Sequence, residues 1–197
     1  MIETEVKHRI KGKTELKRIK TKLKKFAVFR KKEKELNLVF DSPEGELKKN
    51  KFLLRLRKDS KNTLTFKSPI KSNKRFKERN ETEIFVKDFN RTRKMLESMN
   101  FFPVFVYEKK REYFDLNGTE VLVDELPFIG FYLEIEGTGK GITEAEKELG
   151  LKQKNRITAN YLQIFLQHKK KKNLKEKNMV FKKSKTQHDL NTMNYFI

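Results

Sequence analysis

The chain has no cysteine and only three histidines, His8, His168 and His188, among its 197 residues. Disulfides, zinc–thiolate sites and thiol nucleophiles are therefore excluded, and three scattered imidazoles leave little scope for a histidine-built metal site. Glycine is sparse too, at eight residues, and none falls in a phosphate loop of the Walker or dinucleotide type. No run approaches the ~18 apolar residues of a membrane span, and the N-terminus has no apolar signal-peptide stretch. These absences predict a soluble, cytoplasmic protein without a membrane span. Acid is the minority charge, with 27 Asp plus Glu against 48 Lys plus Arg, a formal net charge of +21. Whatever chemistry the chain performs must use carboxylates, lysine and arginine. Its surface favours polyanions: nucleic acid, phosphorylated metabolites or anionic membranes.

The basic charge is uneven. Residues 168–197 hold nine lysines against Glu176 and Asp189, and Lys169–Lys172 is an unbroken lysine block without apolar periodicity. This predicts one folded domain over 1–167 and a basic, disordered tail over 168–197 that contacts nucleic acid, if at all, non-specifically. Residues 1–167 remain basic without the tail. The 36% of hydrophobic residues is enough to furnish a core.

Period-two alternation predicts strands at about 2–9, 36–41, 52–58, 63–68, 76–86, 105–115, 120–125 and 131–136. Helical spacing follows Thr14 (Leu16, Ile19, Leu23, Phe26), follows Asp88 (Phe89, Leu96, Met99) and precedes the tail (Tyr161, Leu162, Phe165). Thr143 with Glu146 reads as a capping box opening a further short helix. Helices that do not alternate regularly with strands point to an antiparallel α+β arrangement rather than a doubly wound parallel sheet.

Successive strand side chains point to opposite faces. Glu3, Glu5, Lys7 and Arg9 therefore share a face, as do Arg55 and Arg57, Thr65 and Lys67, and Lys77, Arg79, Glu81 and Glu83. Lys109, Arg111 and Tyr113 share another, as do Glu120 and Asp124, and Glu134 and Glu136. Taken singly, each is an ordinary wet face of a half-buried sheet. If the sheet curls into a tunnel, all of them line one lumen. Glutamates bind a hard divalent cation through oxygen, and Arg and Lys bind phosphate oxygens, so the common ligand would be a metal-chelated polyphosphate.

The ordered motifs resemble the CYTH or triphosphate tunnel metalloenzyme superfamily, which includes class IV adenylyl cyclases, thiamine triphosphatases and inorganic triphosphatases. They are Glu3-Thr4-Glu5-Val6-Lys7, Leu53-Leu54-Arg55-Leu56-Arg57, Thr65-Phe66-Lys67-Ser68-Pro69, Lys77-Glu78-Arg79-Asn80-Glu81-Thr82-Glu83, Glu108-Lys109-Lys110-Arg111 and Gly130-Phe131-Tyr132-Leu133-Glu134-Ile135-Glu136. The close Asn160-Tyr161-Leu162-Gln163-Ile164-Phe165-Leu166 is similar to that of the cyclase branch, with Asn160 where Ser is usual. The resemblance spans residues 1–166.

The resemblance implies an eight-stranded antiparallel β-barrel, the triphosphate tunnel, with flanking helices, and an enzyme dependent on Mg²⁺ or Mn²⁺. It implies Glu3, Glu5, Glu134 and Glu136 as metal ligands, with Glu81, Glu83 and Asp124 as further acidic candidates. Lys7, Arg55, Arg57, Lys67, Arg79, Lys109 and Arg111 would grip phosphate, and Glu5 and Glu83 are candidates for a general base. The class IV cyclase-like branch is favoured, converting ATP to cyclic AMP and pyrophosphate. The alternative is a triphosphatase acting on tripolyphosphate, thiamine triphosphate or a nucleoside triphosphate. Relatives of this kind often pair, which implies a homodimer. A third reading, a non-catalytic basic RNA-binding protein, does not account for the paired acids Glu3/Glu5 and Glu134/Glu136, which repel a phosphate backbone unless a metal intervenes.

Overall fold

The structure, a computed structural model, describes residues 1–70 and 75–181. Eight strands carry the chain: β1 (Ile2–Ile10), β2 (Val28–Asp41), β3 (Leu53–Lys58), β4 (Asn62–Pro69), β5 (Lys77–Phe85), β6 (Phe102–Leu116), β7 (Thr119–Leu126) and β8 (Gly130–Glu136). They close into an antiparallel ring in the order β1-β5-β4-β3-β2-β6-β7-β8. The expected eight-stranded α+β tunnel is the architecture found.

Helices α1 (Gly12–Phe26) and α4 (Gly139–Leu149) lie on the outside of the ring. Ile19 and Leu23 of α1, one turn apart, are fully buried with Ile142, Ala145 and Leu149 of α4 against Val6, Ile10, Val121, Leu133 and Ile135. Removing the side chain of a buried leucine such as Leu23 costs about 2–5 kcal/mol. Helix α2 (Glu46–Lys49) is a single turn, whose amides at Leu47 and Lys48 donate to the Asp41 carboxylate. Helix α3 (Phe89–Ser98) is capped by Asp88, which accepts from the Arg91 amide, and it buries Phe89 and Leu96 against Leu38, Phe40, Leu56 and Val106. Helix α5 (Tyr161–Lys172) starts at a capping box of Asn160 and Gln163. Its Tyr161 and Phe165 fill one end of the ring against the inward-facing Phe105, Tyr107 and Tyr132.

Three sequence expectations differ from the structure. β2 starts at Val28, eight residues before the expected strand, and pairs with β6 as far back as Val28 opposite Asp115. Helix α4 starts four residues before Thr143 and is capped by Thr138, whose hydroxyl accepts from the Gly141 amide. Glu146 caps nothing there; it is buried, accepts both arms of Arg156 and pairs with His8 at 2.8 Å. Beyond residue 167 the chain does not leave the body at once: residues 168–172 complete α5, and Asn178–Phe181 runs beside β6. The Met179 amide donates to the Val106 carbonyl and the Glu108 amide to the Met179 carbonyl, with Met179 fully buried. β7 pairs with β6 only from Lys110 onward, so this segment takes the edge that β7 leaves open. The remainder of the expected tail, 182–197, lies outside the described residues.

Candidate active site in the tunnel

The ring encloses a cavity of about 1130 Å³. Alternation on β1 sends Glu3, Glu5 and Lys7 into it, and pairing fixes what they meet: Glu3 faces Arg79 and Glu5 faces Lys77 on β5, while Glu5 faces Glu136 and Lys7 faces Glu134 on β8. Carboxylate oxygens of Glu3, Glu5 and Glu136 lie within 4.8 Å of one another. Such crowding leaves the three acids unequal. Burial pushes Glu136 up to about 8, with Glu134, Glu5 and Glu3 adding to the rise against the opposing pull of Arg111. Burial raises Glu3 as well, with Lys67 opposing and Glu5 and Glu81 reinforcing. For Glu5, burial acts upward but Lys7 and Lys77 outweigh it, holding the carboxyl down at about 2. A divalent cation relieves this repulsion, and an all-oxygen donor set of carboxylates is what Mg²⁺ or Mn²⁺ requires, so the residues present fit such an ion.

The facing wall is cationic. Arg55 and Arg57 come from β3, Lys67 from β4, and Lys109 and Arg111 from β6. Lys67 Nζ sits 2.6 Å from Glu3 and 3.0 Å from Glu81. Arg57 meets Glu83 at 2.9 Å, and Arg55 donates to the Thr65 hydroxyl at 3.3 Å. The Nε donors of both Arg55 and Arg57 are buried without a hydrogen-bond partner, Arg57 Nε lying 4.0 Å from the Asp59 carboxylate. Guanidinium groups lining a cavity suit an incoming phosphate oxygen. Arg79 stands at the rim with one arm on the Lys51 carbonyl at 2.9 Å.

Other acids are committed to holding the cations. Asp124 is fully buried and receives Arg111 through two arms at 2.7 and 2.6 Å, and it also accepts from the Tyr161 hydroxyl at 2.7 Å. It is absent from the lining of the cavity, unlike Glu3, Glu5 and Glu136. Glu134 pairs with Lys7 at 2.6 Å and with Arg111, and the two cations together with Lys109 hold it well below the usual carboxylate range against burial. Lys7 in turn lies over the Tyr161 ring at 4.6 Å, and its ammonium is held protonated by Glu134 and Glu5 against burial.

The structure thus brings Glu3, Glu5 and Glu136 together as a cluster and places Glu134 one step along β8, in the grip of Lys7 and Arg111. Glu81 and Glu83 face the same cavity but are engaged by Lys67 and by Arg57 and Thr65. Neither base candidate is strongly basic: Glu5 sits at about 2, and hydrogen bonding from Thr65 with the charges of Arg57 and Arg55 lowers Glu83 against burial. All seven expected phosphate-binding cations line the cavity. Sequence reasoning missed Glu35, buried on β2 among Lys109, Arg111 and Arg57, because it began that strand at residue 36. Extending the inward series Lys31, Glu33, Glu35, Asn37 back along β2 finds it.

A family model described as CYTH domain matches residues 1–178. A Methanocaldococcus jannaschii protein named "Putative adenylate cyclase" is 27% identical over 176 residues, covering 83% of this chain and 98% of that protein. Among solved structures, a conserved hypothetical protein from Pyrococcus furiosus superposes with a TM-score of 0.69 at 28% identity, covering 82% of this chain and 99% of its own. A Hippeastrum protein, described as a "Putative adenylyl cyclase" with a dominant triphosphatase activity, superposes with a TM-score of 0.66 over 84% of this chain and 95% of its own; at 20% identity that likeness is one of fold.

Proposed function

Because the chain belongs to the CYTH domain family, we propose that it is a metal-dependent enzyme that binds a triphosphate inside its tunnel and cleaves it. The observation that carries this reading is the pairing, within one cavity, of a crowded Glu3/Glu5/Glu136 cluster with a wall of guanidinium and ammonium groups from Arg55, Arg57, Lys67, Lys109 and Arg111. Glu3, Glu5 and Glu136 would hold Mg²⁺ or Mn²⁺, with Glu134 adjoining. When bound, that ion supplies charge neutralisation at phosphoryl oxygens. Lys7, Arg55, Arg57, Lys67, Lys109 and Arg111 bind phosphate oxygens along the tunnel, and Arg79 does so at the rim. They hold the chain of phosphates in line with the attacking oxygen and stabilise charge on the leaving group.

The favoured reaction is of the class IV adenylyl cyclase type: the ribose 3′-oxygen of ATP attacks the α-phosphorus, the bond to the β-phosphate oxygen breaks, and pyrophosphate leaves. One feature supports a substrate with an organic head. Val39 and Phe105, paired across β2 and β6, line the cavity together with Leu162 and Leu166 of α5, giving an apolar stretch beside Arg55. The second reading is a triphosphatase, in which water attacks the terminal phosphorus. The same cation wall serves it, and the Hippeastrum protein's description joins both names. Incubating the purified protein with Mg²⁺ or Mn²⁺ and, separately, ATP, tripolyphosphate and thiamine triphosphate, with products resolved by chromatography, tests both. Cyclic AMP with pyrophosphate is the expected result. Orthophosphate release led by tripolyphosphate or thiamine triphosphate replaces the cyclase reading with the triphosphatase one.

A further inference from the structure

Glu35 stands on β2 where the strands on both sides carry cations. Across β6 it faces Lys109, and the next inward residue on β2, Asn37, faces Arg57 across β3. Its side chain is fully buried and does not line the cavity, so it meets neither substrate nor metal. The Tyr113 hydroxyl donates to its Oε1 at 3.0 Å, and Asn37 Nδ2 donates to its Oε2 at 3.4 Å. Around it lie Lys109 Nζ at 3.3 Å, Arg111 Nε at 3.7 Å and Arg57 Nη1 at 3.8 Å. Glu134 and Asp124 on the opposite side each meet two of the tunnel's cations; Glu35 meets three.

Three cations converging on one point repel one another and drift apart unless a counter-charge sits between them. A carboxylate at that point also subtracts one unit of charge from the wall on which phosphates lie, and so weakens the hold on any polyanion. We infer that Glu35 is a positioning residue with both effects: it locks Lys109, Arg111 and Arg57 into one array, and it tempers the tunnel's grip so that anionic product departs. Its own ionisation is secure, because Lys109, Arg111, Arg57 and Arg55 outweigh the burial that would otherwise protonate it. A glutamine at this place would keep the size and one acceptor oxygen, its amide nitrogen donating to the Tyr113 hydroxyl oxygen in place of the bond now accepted from it, while lifting the brake on affinity. A merely structural prop would behave differently, since its loss weakens binding and turnover together.

This inference rests on the tunnel being a triphosphate site, and the test separates the two. Binding of inorganic tripolyphosphate is measured by calorimetry in chelator, and kcat on the substrate that the wild-type protein turns over. Glu35→Gln is expected to bind tripolyphosphate about tenfold more tightly while its kcat falls about tenfold or more. Glu35→Asp, which keeps the charge but draws it back by one methylene, is expected to bind as the wild type does, with kcat lowered about threefold or more. If Glu35→Gln does not fold, that aspartate variant decides: parallel loss of affinity and kcat overturns the inference. With Glu35→Gln folded, weaker or unchanged binding, or an unchanged kcat, overturns it alone. Wild-type protein that binds no tripolyphosphate overturns the triphosphate reading, and this inference with it.

Discussion

Lys7 and Glu134 face each other across the β1–β8 pairing with 2.6 Å between ammonium and carboxylate, while two residues along the same two strands Glu5 faces Glu136, acid against acid. One register therefore produces both a closed ion pair and a juxtaposed pair of acids, of which Glu5 is met by Lys77. That acidic pair is where the proposed metal would sit. Replacing Glu5 or Glu136 by alanine is expected to abolish metal-dependent turnover while far-ultraviolet circular dichroism stays that of the wild type, because each substitution removes a cavity-lining carboxylate rather than core volume. Near-normal rates in either variant would show that the metal is held elsewhere.

The same crowding predicts how stability depends on pH. Glu136 is raised from an ordinary 4.5 to about 8 in the folded protein, so its neutral form favours folding. That contribution is complete below pH 4.5 and is lost as pH rises through 8. Glu5 has the opposite sign: lowered to about 2, it contributes stability above pH 4.5 that is lost as pH falls toward 2. Thermal melting between pH 5 and 8.5 is expected to show a decline at the alkaline end that Glu136→Gln removes and that added Mg²⁺ or Mn²⁺ reverses. A decline unaffected by both would assign it to another group.

Arg57 reaches both Glu83 and Glu35 and lines the cavity. Arg57→Ala is expected to lower kcat/KM by about 10- to 100-fold, since it removes a charge-assisted donor to phosphate. Arg57→Lys, which keeps the charge but not the fork, should recover only part of that loss. Unchanged steady-state kinetics would break the proposed alignment of phosphates along β3.

Asp124 holds two arms of Arg111 in full burial. Asp124→Asn takes away the two-armed counter-charge of that guanidinium and leaves it Glu134 and Glu35, so the loss is expected to fall below the ~3–5 kcal/mol of breaking a buried pair outright. Chemical denaturation should reveal that loss, and turnover should fall with it because Arg111 is no longer aimed. A variant as stable as the wild type would contradict the buried pairing.

Much of this site was legible because barrel strands keep strict alternation. The run from Glu3 to Lys7, the Arg55/Arg57 pair and the Glu134/Glu136 pair each put their charges on one face, and curling the sheet brings them together. The first half of β2 was not legible for a physical reason. From Arg30 to Glu35 both faces carry charge, with Lys32 and Lys34 outside on Glu112 and Glu108, so no apolar periodicity marks the strand. Depth was equally hidden: parity places Asp124 inward with Glu120, but only the packing of Tyr161 and Arg111 over it separates Asp124 from the cavity. The α4 boundary failed because Thr138 and Thr143 both offer a plausible cap; Thr143 Oγ1 instead donates back to the Gly139 carbonyl inside the helix.

The segment from Asn178 to Phe181 has a practical consequence for handling the protein. It is tied down by Asn178 Oδ1 accepting from the Val106 amide and by the Phe181 amide donating to Glu108, besides its pairing through Met179. Trimming the chain at residue 167, where composition changes, would strip this cover and bare a length of β6 with unsatisfied amides and carbonyls beside Val106. Exposed strand edges recruit other strands. A shortened version should therefore self-associate during purification, and any oligomer seen with it would report the cut rather than the native assembly.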